Sequence, residues 1–166
     1  MVTDNFKELI EIMEGEVALY RELRELELRK KDCIINNDVK ALDAITREEQ
    51  GFVKTIVQLE SLRSGAVDGL CRKKGCDLVD NLQQLYRILD LPQRRQLEAQ
   101  EAQLLAAIGD VQATNRLNEQ LIQQSLEYID VTLAITQQLG TTDAGYGSEA
   151  KEREVKRSRG IFDAKV

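Results

Sequence analysis

Few residues of this chain are of a type that does chemistry. The three cysteines, Cys33, Cys71 and Cys76, are the first candidates, for a metal site or a cross-link. Three is an odd number for a disulfide framework, and CRKKGC (71–76) has no second cysteine pair to complete a zinc site. Histidine is absent, which removes the commonest general base near neutral pH and the commonest metal ligand. The cysteines therefore read as reduced packing thiols of a cytoplasmic protein. Paired acids such as Glu48-Glu49 fit a solvated helix face. Gly145-Tyr146-Gly147 lacks the third glycine and the strand-to-helix setting of a phosphate loop. No catalysis, no metal and no cofactor is expected.

The elements that carry these residues are helices. The chain has 166 residues, 42% apolar and 31% charged, with one proline and 4% aromatics. That composition favours long helices over a sheet, in one domain. The net charge of −6 offers no concentrated positive field for nucleic acid. Arg72-Lys73-Lys74, Arg94-Arg95 and Lys156-Arg157-Ser158-Arg159 are short runs without a stacking platform, better read as helix ends and tail charges. The opening residues lack the basic and apolar regions of a signal peptide, and no run approaches a membrane span.

Periodicity predicts a first helix from Thr3 or Asp4 to Cys33, its apolar residues spaced by three and four from Phe6 to Leu26. Arg29, Lys30 and Lys31 then fall in its last turn, where cations suit the helix dipole. Asn36-Asn37-Asp38 is a turn and cap. A second helix follows with Leu42, Ile45, Phe52, Ile56 and Leu59 in heptad-like spacing, interrupted by Glu49, and Gly75 stops it. Gly65 and Gly69 make a bend possible in its last turns. A short third helix starts at Asp77 and carries Leu78, Leu82, Leu85 and Leu89. The fourth runs from Pro92 to about Leu139, with a seam at Leu97, Glu101, Leu104, Ile108, Val111, Asn115, Asn118, Ile122, Ser125, Ile129, Thr132, Thr136 and Leu139. The fold class is all-α: an elongated antiparallel helical bundle, or coiled-coil-like hairpin, over residues 1–139. Residues 140–166, with glycines and six basic against five acidic side chains, read as a flexible C-terminal tail.

Two asparagines stand in that last seam, where apolar residues are expected. On a helical wheel the second half of the fourth helix shows two apolar stripes. One holds Ile122, Leu126, Ile129 and Leu133; the other Leu121, Tyr128, Val131, Ile135 and Leu139. Small or polar Asn118, Ser125, Thr132 and Thr136 lie between them. A helix apolar on two flanks needs cover on two sides. Asn115 and Asn118 either fix register inside the bundle or orient an incoming amphipathic helix in a groove.

The order of these pieces resembles the FlgN-type flagellar export chaperones. The pieces are FKELIEIMEGEVALYRELREL at the start, NNDVKALDAITREEQGFVKTIVQLESLR in the second helix, NRLNEQLI in the fourth, then GYGSE and a closing GIFDAKV. The resemblance implies a cytoplasmic chaperone of flagellar type III secretion that binds hook-associated proteins, at the hook–filament junction, by their C-terminal helical regions before export. It matches Asn115, Asn118 and Ile122 to the family's late-helix motif, and Tyr146-Gly147 to the start of its tail. The expected client site is Asn115, Asn118, Leu121, Ile122, Tyr128, Ile135 and Leu139. Tyr146, Ile161, Phe162 and Val166 are expected to contact the export apparatus. The competing expectation is a coiled-coil scaffold acting by self-association, as a homo-oligomer.

Overall fold

The computed structural model describes residues 5–77 and 82–142. Its helices are α1, Asn5–Ile35; α2, Val39–Lys74; α3, Leu82–Leu85; and α4, Leu91–Thr142. The chain is an all-α helical bundle, with no strand among the described residues. It divides into two compact units, Met1–Leu126 and Glu127–Val166, and α4 contributes to both. The tail expected over 140–166 lies, from residue 143 onward, outside the described residues.

In the first unit, α1 and α2 form an antiparallel hairpin. α1 continues past the expected stop at Cys33, anchored by buried Ile34. The turn uses Asn37 at φ 52°, a left-handed conformation that asparagine tolerates. Asp38 caps α2, its side chain accepting from Ala41 N at 3.0 Å. Because α1 runs on, Arg29, Lys30 and Lys31 do not occupy its last turn as the periodicity suggested. Arg29 and Lys30 instead reach across the hairpin, to Glu48 at 2.7 Å and Glu49 at 2.8 Å.

Gly75 ends α2 as expected, at φ 67°, with Cys76 N donating to Cys71 O. Neither Gly65 nor Gly69 interrupts the helix, and at Gly69 the Asn5 amide occupies the place a Cβ would take. The third helix is shorter than the expected Asp77–Leu89: within the described residues it spans four, and residues 78–81 lie outside them. A tight turn follows it, and the Arg94 guanidinium donates to the Tyr86 carbonyl. Asp90 caps α4 through Gln93 N at 2.9 Å, with Pro92 in the first turn, so α4 begins one residue before the expected position.

One core cluster joins Leu9 and Met13 of α1, Ala66 and Leu70 of α2, Leu85 of α3, and Leu97 and Leu104 of α4. A second joins Leu23 and Leu26 to Ile45, with Phe52, Ile56 and Val111 against it. α2 turns Leu42, Ile45, Glu49, Phe52, Ile56, Leu59, Arg63, Ala66 and Leu70 inward, alternating steps of three and four. The inward positions of α4 are Leu97, Gln100, Leu104, Ala107, Val111, Thr114, Asn118, Leu121 and Ser125. This corrects the expected seam at Glu101, Ile108, Asn115 and Ile122, each of which gives way to the residue before it. Glu101 and Ile108 are half-buried, and Asn115 and Ile122 are exposed. Small Ala107 is buried where bulkier Ile108 stands aside.

Candidate partner-binding surface

Asn118 is 1% exposed, and its amide is committed to α1. Nδ2 donates to the Glu27 carbonyl oxygen at 2.9 Å and to Glu27 Oε2 at 2.8 Å. Both neighbours are acceptors, so the amide has one workable orientation. Oδ1 is then turned away, buried and without a donor among the described residues. Glu27 is itself buried, with Lys30 Nζ 3.7 Å from its other oxygen and 2.8 Å from Glu49. Burial pushes the Glu27 carboxyl above its ordinary value, and a hydrogen bond with Glu49 adds to the rise; Asn118 and Lys30 oppose it. This joint ties α1, α2 and α4 together, and the Asn118 amide is engaged inside the bundle.

A second polar joint was not anticipated. Glu16 is buried on α1, and Arg63 Nε of α2 donates to it at 3.0 Å. Burial raises the Glu16 carboxyl, while Arg63 works in the opposite direction. The signal was available: Arg63 stands on the α2 heptad with Ile56, Leu59 and Ala66. At the α3 end, the Tyr86 hydroxyl donates to Glu101, and burial followed by that acceptor raises the phenol's pKa.

Asn115 is exposed. It lines a cleft of about 310 Å³ with Lys30, Asn118, Glu119, Ile122 and Gln123. Of the expected client residues, the structure thus brings Asn115, Asn118 and Ile122 to one cleft, and leaves Leu121 half-buried on the seam.

In the second unit the described residues are the last turns of α4. Tyr128 is 74% exposed, and Ile129, Val131, Leu133, Ile135 and Leu139 are exposed as well. Tyr128, Ile135 and Leu139, all expected client residues, continue the heptad of Leu97 through Ser125, with Thr132 between them. Ile129 and Leu133 form the neighbouring stripe and were not among the residues expected to bind. The threonine hydroxyls are satisfied within the helix: Thr132 Oγ1 donates to Tyr128 O and Thr136 Oγ1 to Thr132 O, each at 2.8 Å. Glu127 and Asp130 are the only charged residues from 127 to 142. Tyr146, Ile161, Phe162 and Val166 lie outside the described residues.

The cysteines form no disulfide: Cys71 is buried, while Cys33 and Cys76 are half-buried. Among the described residues, no group of three or more Cys, Asp or Glu is placed to hold a metal ion, and no helix is long and apolar enough to cross a membrane. The arrangement on the late part of α4 suits binding by packing. A family model described as FlgN protein matches residues 1–154 of the chain. No curated protein and no solved structure matches it.

Proposed function

The chain belongs to the FlgN family, a family of flagellar export chaperones, and from that premise we propose that it binds hook-associated proteins in the cytoplasm before their secretion. The client's C-terminal helical region docks on the late part of α4, through Tyr128, Ile135 and Leu139. Asn115 and Ile122 form a further contact at the cleft beside Lys30. The tail, with Tyr146, Ile161, Phe162 and Val166, engages the export apparatus. Binding, not catalysis, is the activity.

One observation carries this reading. From residue 127 to residue 139 every side chain of α4 is exposed, yet six of them are large and apolar. Exposed apolar surface of that kind marks an interaction site. An amphipathic partner helix seated on it is a recurring way to recognise a peptide.

The test is co-purification with the hook-associated proteins of the same organism, read as mass by light scattering. Tyr128→Asp combined with Ile135→Asp is expected to abolish the complex while the helical circular dichroism stays unchanged. A complex that survives this double substitution refutes the placement of the site. A stable oligomer whose mass is indifferent to any client would instead assign the surface to self-association.

A further inference from the structure

We propose that the partner presents two packed helices to the late part of α4, one along each apolar stripe, with Thr132 and Thr136 facing the groove between them. The proposal rests on the reading that this surface receives the client, and adds the partner's shape and chemistry.

Width is the first argument. At 100° per residue, the apolar arc from Val131 through Tyr128, Thr132 and Ile129 to Leu133 spans roughly 200°. A helix lying against one neighbour needs an apolar stripe of roughly 100°. Twice that width calls for two neighbours.

Continuity is the second. In sequence, Thr132, with Tyr128, Ile135 and Leu139, continues the three- and four-residue spacing of the inward positions Leu97 through Ser125. Where that series is covered, it is covered by two helices. Val111 packs on a cluster built from Leu23 and Leu26 of α1 and Ile45 of α2. Leu97 and Leu104 share a core with Met13 of α1 and Leu70 of α2. The heptad that seats between a helical hairpin in the first unit recurs in the second.

Chemistry is the third. The Thr132 and Thr136 hydroxyls are already bonded to α4, so an apolar partner leaves no buried orphan there. Glu127 and Asp130 fall on the opposite side of the helix wheel from these threonines. The partner's packing face is therefore uncharged, and ionic strength has little hold on it. A second copy of this chain fits less well, because its own α1–α2 hairpin is already packed on its α4.

The experiment uses the full-length protein and, as probe, a full-length hook-associated protein, with affinity measured by titration calorimetry. Ile135→Asp breaks one stripe and Leu133→Asp the other. Both positions are exposed, and circular dichroism verifies the fold. Each substitution is expected to weaken binding at least about tenfold, as expected for losing one buried aliphatic side chain. The wild-type affinity is expected to change less than about twofold between low and high salt, since no exposed charge lies at the contact. If Leu133→Asp binds as the wild type does while Ile135→Asp does not, one helix suffices: the two-helix partner is refuted and the docking surface stands. If neither weakens binding, or the wild type does not bind, both readings fail. Self-association that Ile135→Asp abolishes, or competition by a peptide of residues 143–166 that matches the probe's affinity, would give the stripes another occupant and also overturn the proposal.

Discussion

Between Leu97 and Ser125, α4 turns its inward positions onto α1 and α2; between Tyr128 and Leu139 the same heptad is exposed to solvent. The covered stretch mixes leucines with Gln100, Ala107, Thr114 and Asn118. The exposed stretch offers Tyr128, Ile135 and Leu139, with Ile129, Val131 and Leu133 on either side. The part in water is thus the more apolar of the two, the reverse of what solvent alone would select. Large exposed apolar residues in one contiguous patch are uncommon on a folded domain unless something binds there. The polar groups of the covered stretch specify rather than strengthen. A buried amide or carboxylate is tolerated only where its partners are, so Asn118 against Glu27, like Arg63 against Glu16 between α2 and α1, excludes slipped pairings that leucines would allow. The exposed stretch carries no such buried pin, and its threonines are bonded to their own helix.

The sharpest way to break this comparison is to truncate one residue of each stretch. Leu97→Ala removes a fully buried side chain and is expected to lower stability by about 2–5 kcal/mol in denaturant unfolding. Ile135→Ala should change it by less than about 0.5 kcal/mol. Equal losses would mean that the exposed stretch is structural after all. Next in size is Asn118→Leu. The larger apolar group strips the Glu27 carbonyl and carboxylate of a donor, for a loss of about 1–3 kcal/mol. Thr132→Leu on the exposed stretch orphans nothing, and its unfolding midpoint should match the wild type's.

Local punctuation was readable from sequence: Asp38 and Gly75 act through groups a few residues away, and each caps or stops the helix it was expected to. The phase of α4 was not. The expected seam and the observed one share Leu97, Leu104, Val111, Asn118 and Ser125. They differ in whether the intervening position is Ile108 or Ala107, and Ile122 or Leu121. Side-chain size favoured the isoleucine at 108, whereas the approach of the hairpin buries the alanine. Nothing local to α4 encodes where that hairpin lies. The same limit hid the joints, since Glu27 and Asn118 are 91 residues apart in sequence, and Arg63 reads as a surface cation until Glu16 is placed beside it. On the candidate surface, spacing alone put Tyr128, Ile135 and Leu139 on one face. It also showed the second stripe, Ile129 and Leu133, but gave no reason to count that stripe as part of the site.

Two smaller effects refine the contrast within the covered stretch. Glu27 holds its proton more tightly in the folded chain than in the unfolded one, chiefly because it is buried. Stability from that proton is complete below the ordinary carboxyl value and is lost as pH rises through the raised one. Glu27→Gln keeps an acceptor for Asn118 and removes the charge. It should raise stability at pH 7 and flatten the decline between acid and neutral pH. Glu16, raised for the same reason, supplies the slope that remains. The smallest effect belongs to Asn115. It stands three residues from Asn118 with the same side chain, but it is exposed at the mouth of the cleft beside Lys30. Asn115→Ala should therefore move the unfolding midpoint by less than about 0.5 kcal/mol. A three-residue step along an α-helix is roughly a 300° turn, 60° short of a full one. That offset is enough to separate an asparagine engaged inside the bundle from one whose substitution the bundle tolerates.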